Sequence, residues 1–151
     1  MTLVDFVKLR EGCAHDLGNG SFAAYLDTDA SPPVWTIGYG TTGPEVFSGV
    51  VWTQAQCDAA LVLKLNQARQ QLLALTPSDV PWPAGAQDAL TDFVYNEGSG
   101  NYEGSTVRKC VANNDWDGVR THLLDWEFAG GKKLAGLITR REGEAAMIHS
   151  P

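Results

Sequence analysis

The chain has 151 residues, 44% of them hydrophobic, a length that supports one buried core and one domain rather than independent modules. Eleven lysines and arginines against eighteen acidic residues leave a net charge of -7, which argues against the clustered cations that nucleic-acid binding needs. The opening residues MTLVDFVKLREG alternate apolar with charged positions and no later window approaches a membrane span, so neither a signal peptide nor stable membrane insertion is expected.

Thr2 followed by Asp5 has the pattern of a capping box, and Leu3, Phe6 and Val7 fall on one helical face. This predicts a short first helix ending near Gly12, with Glu11 at its end. HDLGNGS is turn chemistry. AAYL and VWTIGY read as two short strands rich in aromatic and β-branched residues, joined by the DTDASPP turn, after which Gly38 and Gly40 let the chain bend away. Thr53 and Gln56 form a second capping box ahead of a Gly- and Pro-free segment from Gln54 to Leu75, in which Leu61, Leu65, Ala68 and Leu72 share a face. Pro77, Pro81 and Pro83 end it. Further helices are expected over Gln87–Asn96, after Ser105 and Thr106, from Trp116 to Phe128 with Val119, Leu123, Leu124 and Trp126 inward, and from Gly136 to His149. The sum is a single α+β domain over 1–151, mostly α. A small β-hairpin lobe at about 13–52 is joined by the long helix to a larger helical lobe at about 76–151 that also takes in the N-terminal helix.

Phosphate-binding glycine loops, HExxH and GxSxG are all absent, and His15, His122 and His149 are isolated. Cys13, Cys57 and Cys110 are too scattered for a disulfide framework or a CxxC metal pair and read as free thiols, so no metal or cofactor is expected. Carboxylate chemistry is what is left: Glu11 at a helix end, Asp27 or Asp29 on a turn, and the Thr36 hydroxyl on the neighbouring strand. Glycoside hydrolysis needs two carboxyl groups in different environments, one to protonate the leaving oxygen and one to activate water. Two acids and a threonine near a hairpin recur by chance, and on spacing alone they do not decide it.

The wording of the sequence says more. LREG, AYLD and WTIGYGTT resemble the active-site segment of the phage-type lysozymes, the endolysins of glycoside hydrolase family 24. WTQAQCDAAL is similar to the family's opening of the long helix. QDALTDFVYNEGSGNYEGSTVRKCVAN is similar to its central segment, and WEFAGGKKLAGLITRREGEAAM to its C-terminal one. The resemblance runs from Leu9 to Met147 and implies a lysozyme-like fold. It implies a muramidase cleaving the β-1,4 bond between N-acetylmuramic acid and N-acetylglucosamine in peptidoglycan, typically with inversion. Glu11 would be the general acid, Asp27 the carboxylate that handles the water and Thr36 the hydroxyl that orients it. Tyr95, Asn96 and Gly38 would contact substrate, and Arg140 or Arg141 would be the arginine that pairs with the acid.

Three departures stand out. Fifteen residues separate Glu11 from Asp27 and eight separate Asp27 from Thr36, both more than is usual in the family; Asp29 would shorten the second gap to six, and GYGTT replaces the commoner Gly-Tyr-Gly-His-Thr. The local Tyr25-x-Asp27 pattern favours Asp27 over Asp29. The resemblance also implies a monomer made in the host cytoplasm and reaching the cell wall through a separate holin-type pore. Two rival readings keep the same scaffold: a lytic transglycosylase, against which Asp27 and Thr36 speak, and a catalytically silent wall-binding protein.

Overall fold

The Thr2 hydroxyl accepts the Asp5 N–H at 3.1 Å while the Asp5 carboxylate accepts the Thr2 N–H at 3.1 Å, so two of the otherwise orphaned first-turn donors are satisfied reciprocally. This box starts helix α1, Leu3–Glu11, in a computed structural model that describes residues 1–149. Phe6 and Val7 are its buried face, and Gly12, at φ 67°, ends it by donating to the Lys8 carbonyl. Contacts divide the chain into two compact units, Met1–Lys64 and Leu65–Pro151, with the boundary inside one long helix.

In the first unit four short strands follow α1: β1 (Ser21–Ala23), β2 (Tyr25–Asp27), β3 (Val34–Thr36) and β4 (Val51–Thr53). β2 and β3 form the expected antiparallel pair around the DTDASPP turn, in which the Ser31–Pro32 bond is cis. β1 and β4 form a second pair, with Phe22 opposite Trp52. That pairing was not anticipated, because three-residue strands far apart in sequence leave no periodicity to read. Helix α2, Gln54–Ala74, starts with the predicted reciprocal bonds: the Gln56 side chain accepts the Thr53 N–H at 2.8 Å and the Thr53 hydroxyl accepts the Gln56 N–H at 3.2 Å. Leu61, Leu65, Ala68 and Leu72 are all buried, as their spacing predicts.

The second unit holds α3 (Ala86–Glu97), α4 (Ser99–Glu103), α5 (Thr106–Ala112), α6 (Trp116–Leu123) and α7 (Ala135–Met147), with a small hairpin of β5 (Phe128–Ala129) and β6 (Lys132–Lys133). Its core gathers Leu90, Phe93, Tyr102, Val107, Val119 and Leu123, with Phe93 meeting Tyr102 and Trp126 edge-on at 6.4 and 5.4 Å between ring centres. Gly85 precedes α3 at φ 81°, and a Cβ there would lie 1.9 Å from the Met147 carbonyl oxygen, so the end of α7 packs directly on this glycine.

The helix expected from Trp116 to Phe128 stops at Leu123. A 3-10 turn over Leu124–Trp126 follows, and the chain then becomes β5. Tightening the last turn brings Trp126 onto Phe93, while Leu124, expected inward, is exposed. Gly130 and Gly131, at φ 58° and 78°, close the two-residue turn, and buried Glu127 holds the hairpin by an ion pair to Lys133 at 3.1 Å. Mixed α and β structure dominated by helices, with small hairpins, agrees with the expected fold class.

Candidate active site

In the first unit, strand register brings the hairpin candidates together. Tyr25 faces Thr36 and Asp27 faces Val34, and because alternate residues of a strand share a side, Asp27 and Thr36 lie on one face as diagonal neighbours. Leu26 and Trp35 take the opposite face. Asp27 accepts the Asp29 N–H on Oδ1 at 3.0 Å, so Asp29 is the turn residue that orients Asp27 and is itself exposed. Thr36 is buried and donates its hydroxyl proton to the Val34 carbonyl at 3.1 Å, which leaves the oxygen's lone pairs as acceptors.

Glu11 reaches the same region from the end of α1. It is exposed, not packed in an apolar pocket, and a Cβ built on Gly40 would be 3.8 Å from its Oε2. Gly40, at φ 85°, thus lets the turn after β3 pass close to the carboxylate. Gly38 is buried against Cys57, its would-be Cβ 3.0 Å from the thiol, so it contributes to closing this turn on α2. Lys8 and Gln54 brace the same corner. Lys8 pairs with Asp58 at 2.9 Å, and Gln54 donates to the Tyr39 hydroxyl at 2.9 Å and to Asp58 at 2.7 Å.

Burial pushes the Tyr25 phenol up, and the negative charges of Asp27 and Glu11 add to the rise. His15, at φ 59°, stacks on Tyr25 at 4.4 Å. That contact was missed, since nothing in HDLGNGS announces a histidine folded back onto a strand. Cys13, two residues after Glu11, is a free thiol pushed up to about 12 by burial and by neighbouring Cys57, so it stays protonated and is no nucleophile near neutral pH. Among the described residues no cluster of three or more His, Cys, Asp and Glu side chains could hold a metal ion, and no helix is long and apolar enough to cross a membrane.

In the second unit the remaining candidates sit in one buried polar cluster. Arg140 grips Asp92 with two bonds, Nε to Oδ2 at 2.8 Å and Nη2 to Oδ1 at 2.6 Å, and lies 5.9 Å from the Tyr95 ring centre. Arg141 donates to Asn96 at 2.8 Å, Glu97 at 3.1 Å and Glu144 at 2.7 Å. Asp92, Glu97 and Glu144 were not anticipated as partners. Nothing in the charged TRREGE run announces that its side chains are buried.

Two arginines and three carboxyls would leave a surplus negative charge in this interior. Burial, followed by the adjacent Asp92 carboxylate, pushes Glu144 well above its ordinary value despite Arg141. Burial acts the same way on Asp92, but the bonds from Arg140 and Glu144 outweigh it and hold Asp92 below its ordinary value. The proton on Glu144 stabilises the fold fully below the unfolded value near 4.5, and that stability is lost as pH rises through the raised folded value. The ionised Asp92 acts oppositely, its contribution lost as pH falls below about 3.8. Glu144→Gln reproduces the protonated shape. It is expected to remove about 1.4 kcal/mol per pH unit of the decline in unfolding free energy above pH 4.5, as measured by urea titration at several pH values.

A family model described as phage lysozyme matches residues 18–144, a span that includes Asp27, Thr36, Asn96 and Arg140 and begins after Glu11. The chain belongs to the phage lysozyme family. Among curated relatives, it is similar to a SAR-endolysin of Enterobacteria phage PA-2, 37% identical over 111 residues that cover 74% of this chain and 66% of that one. A SAR-endolysin of Bacteriophage PS119 is 38% identical over the same share of this chain and 65% of its own. The chain thus spans just under two thirds of the length of these phage lysozyme relatives. Of solved structures, the muramidase domain of SpmX from Asticaccaulis excentricus is similar with a TM-score of 0.82 and 25% identity, covering 99% of this chain and 95% of that one. The fold is lysozyme-like.

Proposed function

We propose that the chain is an endolysin-type muramidase acting as one lysozyme domain on peptidoglycan, hydrolysing the β-1,4 bond between N-acetylmuramic acid and N-acetylglucosamine. What supports this reading most is the convergence of Glu11, Asp27 and Thr36 on one hairpin and helix end. Glu11 gives its proton to the glycosidic oxygen. Asp27 takes a proton from the attacking water with the carboxylate that Asp29 orients. Thr36 accepts the water's other hydrogen, because its own proton is committed to the Val34 carbonyl. Inversion of this kind leaves about 6.5–9.5 Å between carboxyl groups for the water. In the first unit the turn at Gly38, and in the second unit Tyr95 and Asn96, are the positions assigned to glycan contact.

The same proposal has a monomer without metal or cofactor reach the wall through a separate holin-type pore. The endolysin names of the relatives support action on the wall. Digestion of purified Gram-negative peptidoglycan, with new ends identified by mass spectrometry, is expected to give reducing N-acetylmuramic ends. Anhydro ends would make the protein a lytic transglycosylase, and binding without cleavage a wall-binding protein.

A further inference from the structure

The Asn96 side chain sits in the last turn of α3 and is half-buried, with Oδ1 accepting from Nη2 of Arg141 at 2.8 Å. An amide can in general be turned either way, but a guanidinium has only donors, so the oxygen must face Arg141 and the N–H2 must face away. Arg141 itself is fully buried and cannot swing aside. The same nitrogen also donates to Glu144 at 2.7 Å, the other terminal nitrogen donates to Glu97 at 3.1 Å, and the guanidinium lies 5.1 Å from the Phe93 ring centre. Two carboxyl partners and an aromatic plane therefore hold the donor that sets the amide.

We infer that Arg141 is a positioning residue that fixes the Asn96 amide so that its N–H2 is presented to a carbonyl oxygen of the bound glycan strand, an acetamido or peptide carbonyl. This rests on the proposed function only in taking Asn96 as a substrate contact. The ligand class follows from the donor: a locked N–H2 favours a neutral or anionic acceptor and rejects a donor in its place. A carboxylate at position 96 would keep the bond to Arg141 and lose both donors, which separates recognition from folding.

The test uses soluble, uncross-linked peptidoglycan fragments, with dissociation constants measured by calorimetry on the Glu11→Gln background so that cleavage is not required. Asn96→Asp is expected to weaken binding roughly 10- to 100-fold, the loss of one or two hydrogen bonds and the gain of a repelling charge, in a protein that circular dichroism shows still folded. Arg141→Lys, which keeps the charge but not the fork, is expected to weaken binding several-fold when Asn96 is present and not at all in Asn96→Ala. A purely structural arginine would give the same factor in both backgrounds. Unchanged affinity in Asn96→Asp, or equal factors for Arg141→Lys, overturns the inference, as does a parent that binds no fragment. If Arg141→Lys fails to fold, Arg141→Gln takes its place in the same two backgrounds. Binding that responds as expected in a protein that never cleaves would uphold the inference while sinking the muramidase reading.

Discussion

Glu11→Gln is expected to lower peptidoglycan hydrolysis by about 10²- to 10⁴-fold, the range that positioned general acids contribute. Glutamine keeps the shape of this exposed side chain at the last position of α1, so the loss should come from chemistry rather than from unfolding. Rates of reducing-end formation beside thermal melts would separate the two effects, and a variant that keeps wild-type rate would remove Glu11 from the acid role. The companion pair settles the second carboxylate. Asp27→Asn should lose most activity, while Asp29→Asn should keep it, since what Asp29 supplies to Asp27 is a backbone N–H that the substitution leaves in place.

Gly85→Ala should cost stability heavily, since a Cβ there makes the closest contact found at any of the described glycines. Its φ of 81° already disfavours a side chain, and the added carbon would stand 1.9 Å from the Met147 carbonyl oxygen, a backbone atom that cannot rotate away. A loss of about 4 kcal/mol or more is expected, at the upper end for single substitutions. Gly18→Ala is the control: its φ is also 81°, but nothing lies within 4 Å of the would-be Cβ, so only the conformational cost of about 1 kcal/mol applies. Urea denaturation of both variants measures the difference. Equal losses would show that the end of α7 does not press on Gly85 in solution.

What could be read from the sequence was local. Thr2 with Asp5 and Thr53 with Gln56 announce their helices because capping boxes act over three residues, and the Leu61, Leu65, Ala68, Leu72 stripe announces its burial by period. The β2–β3 pair was legible because its turn is short and aromatic strands flank it. The pairing of β1 with β4 was not, nor was the clamp of Gly85 on Met147, because each joins segments whose proximity no local pattern encodes. The Gly130-Gly131 turn could have been found, since two glycines between short β-prone pairs are a hairpin signal; the apolar spacing through Trp126 drew the helix too far instead. In the site, Glu11, Asp27 and Thr36 were named from their motif, whereas Asp92 and Glu144 were invisible as a unit. Their significance comes from being buried beside two arginines, which composition averages away.

The raised titration of Glu144 bears on the native molecule as an ion. Counting side chains gives -7, a figure that treats every glutamate alike, whereas burial beside Asp92 raises Glu144 and makes its charge depend on the fold. The charge presented to an anionic polymer, and the isoelectric behaviour that sets solubility, are therefore properties of the fold as well as of the composition.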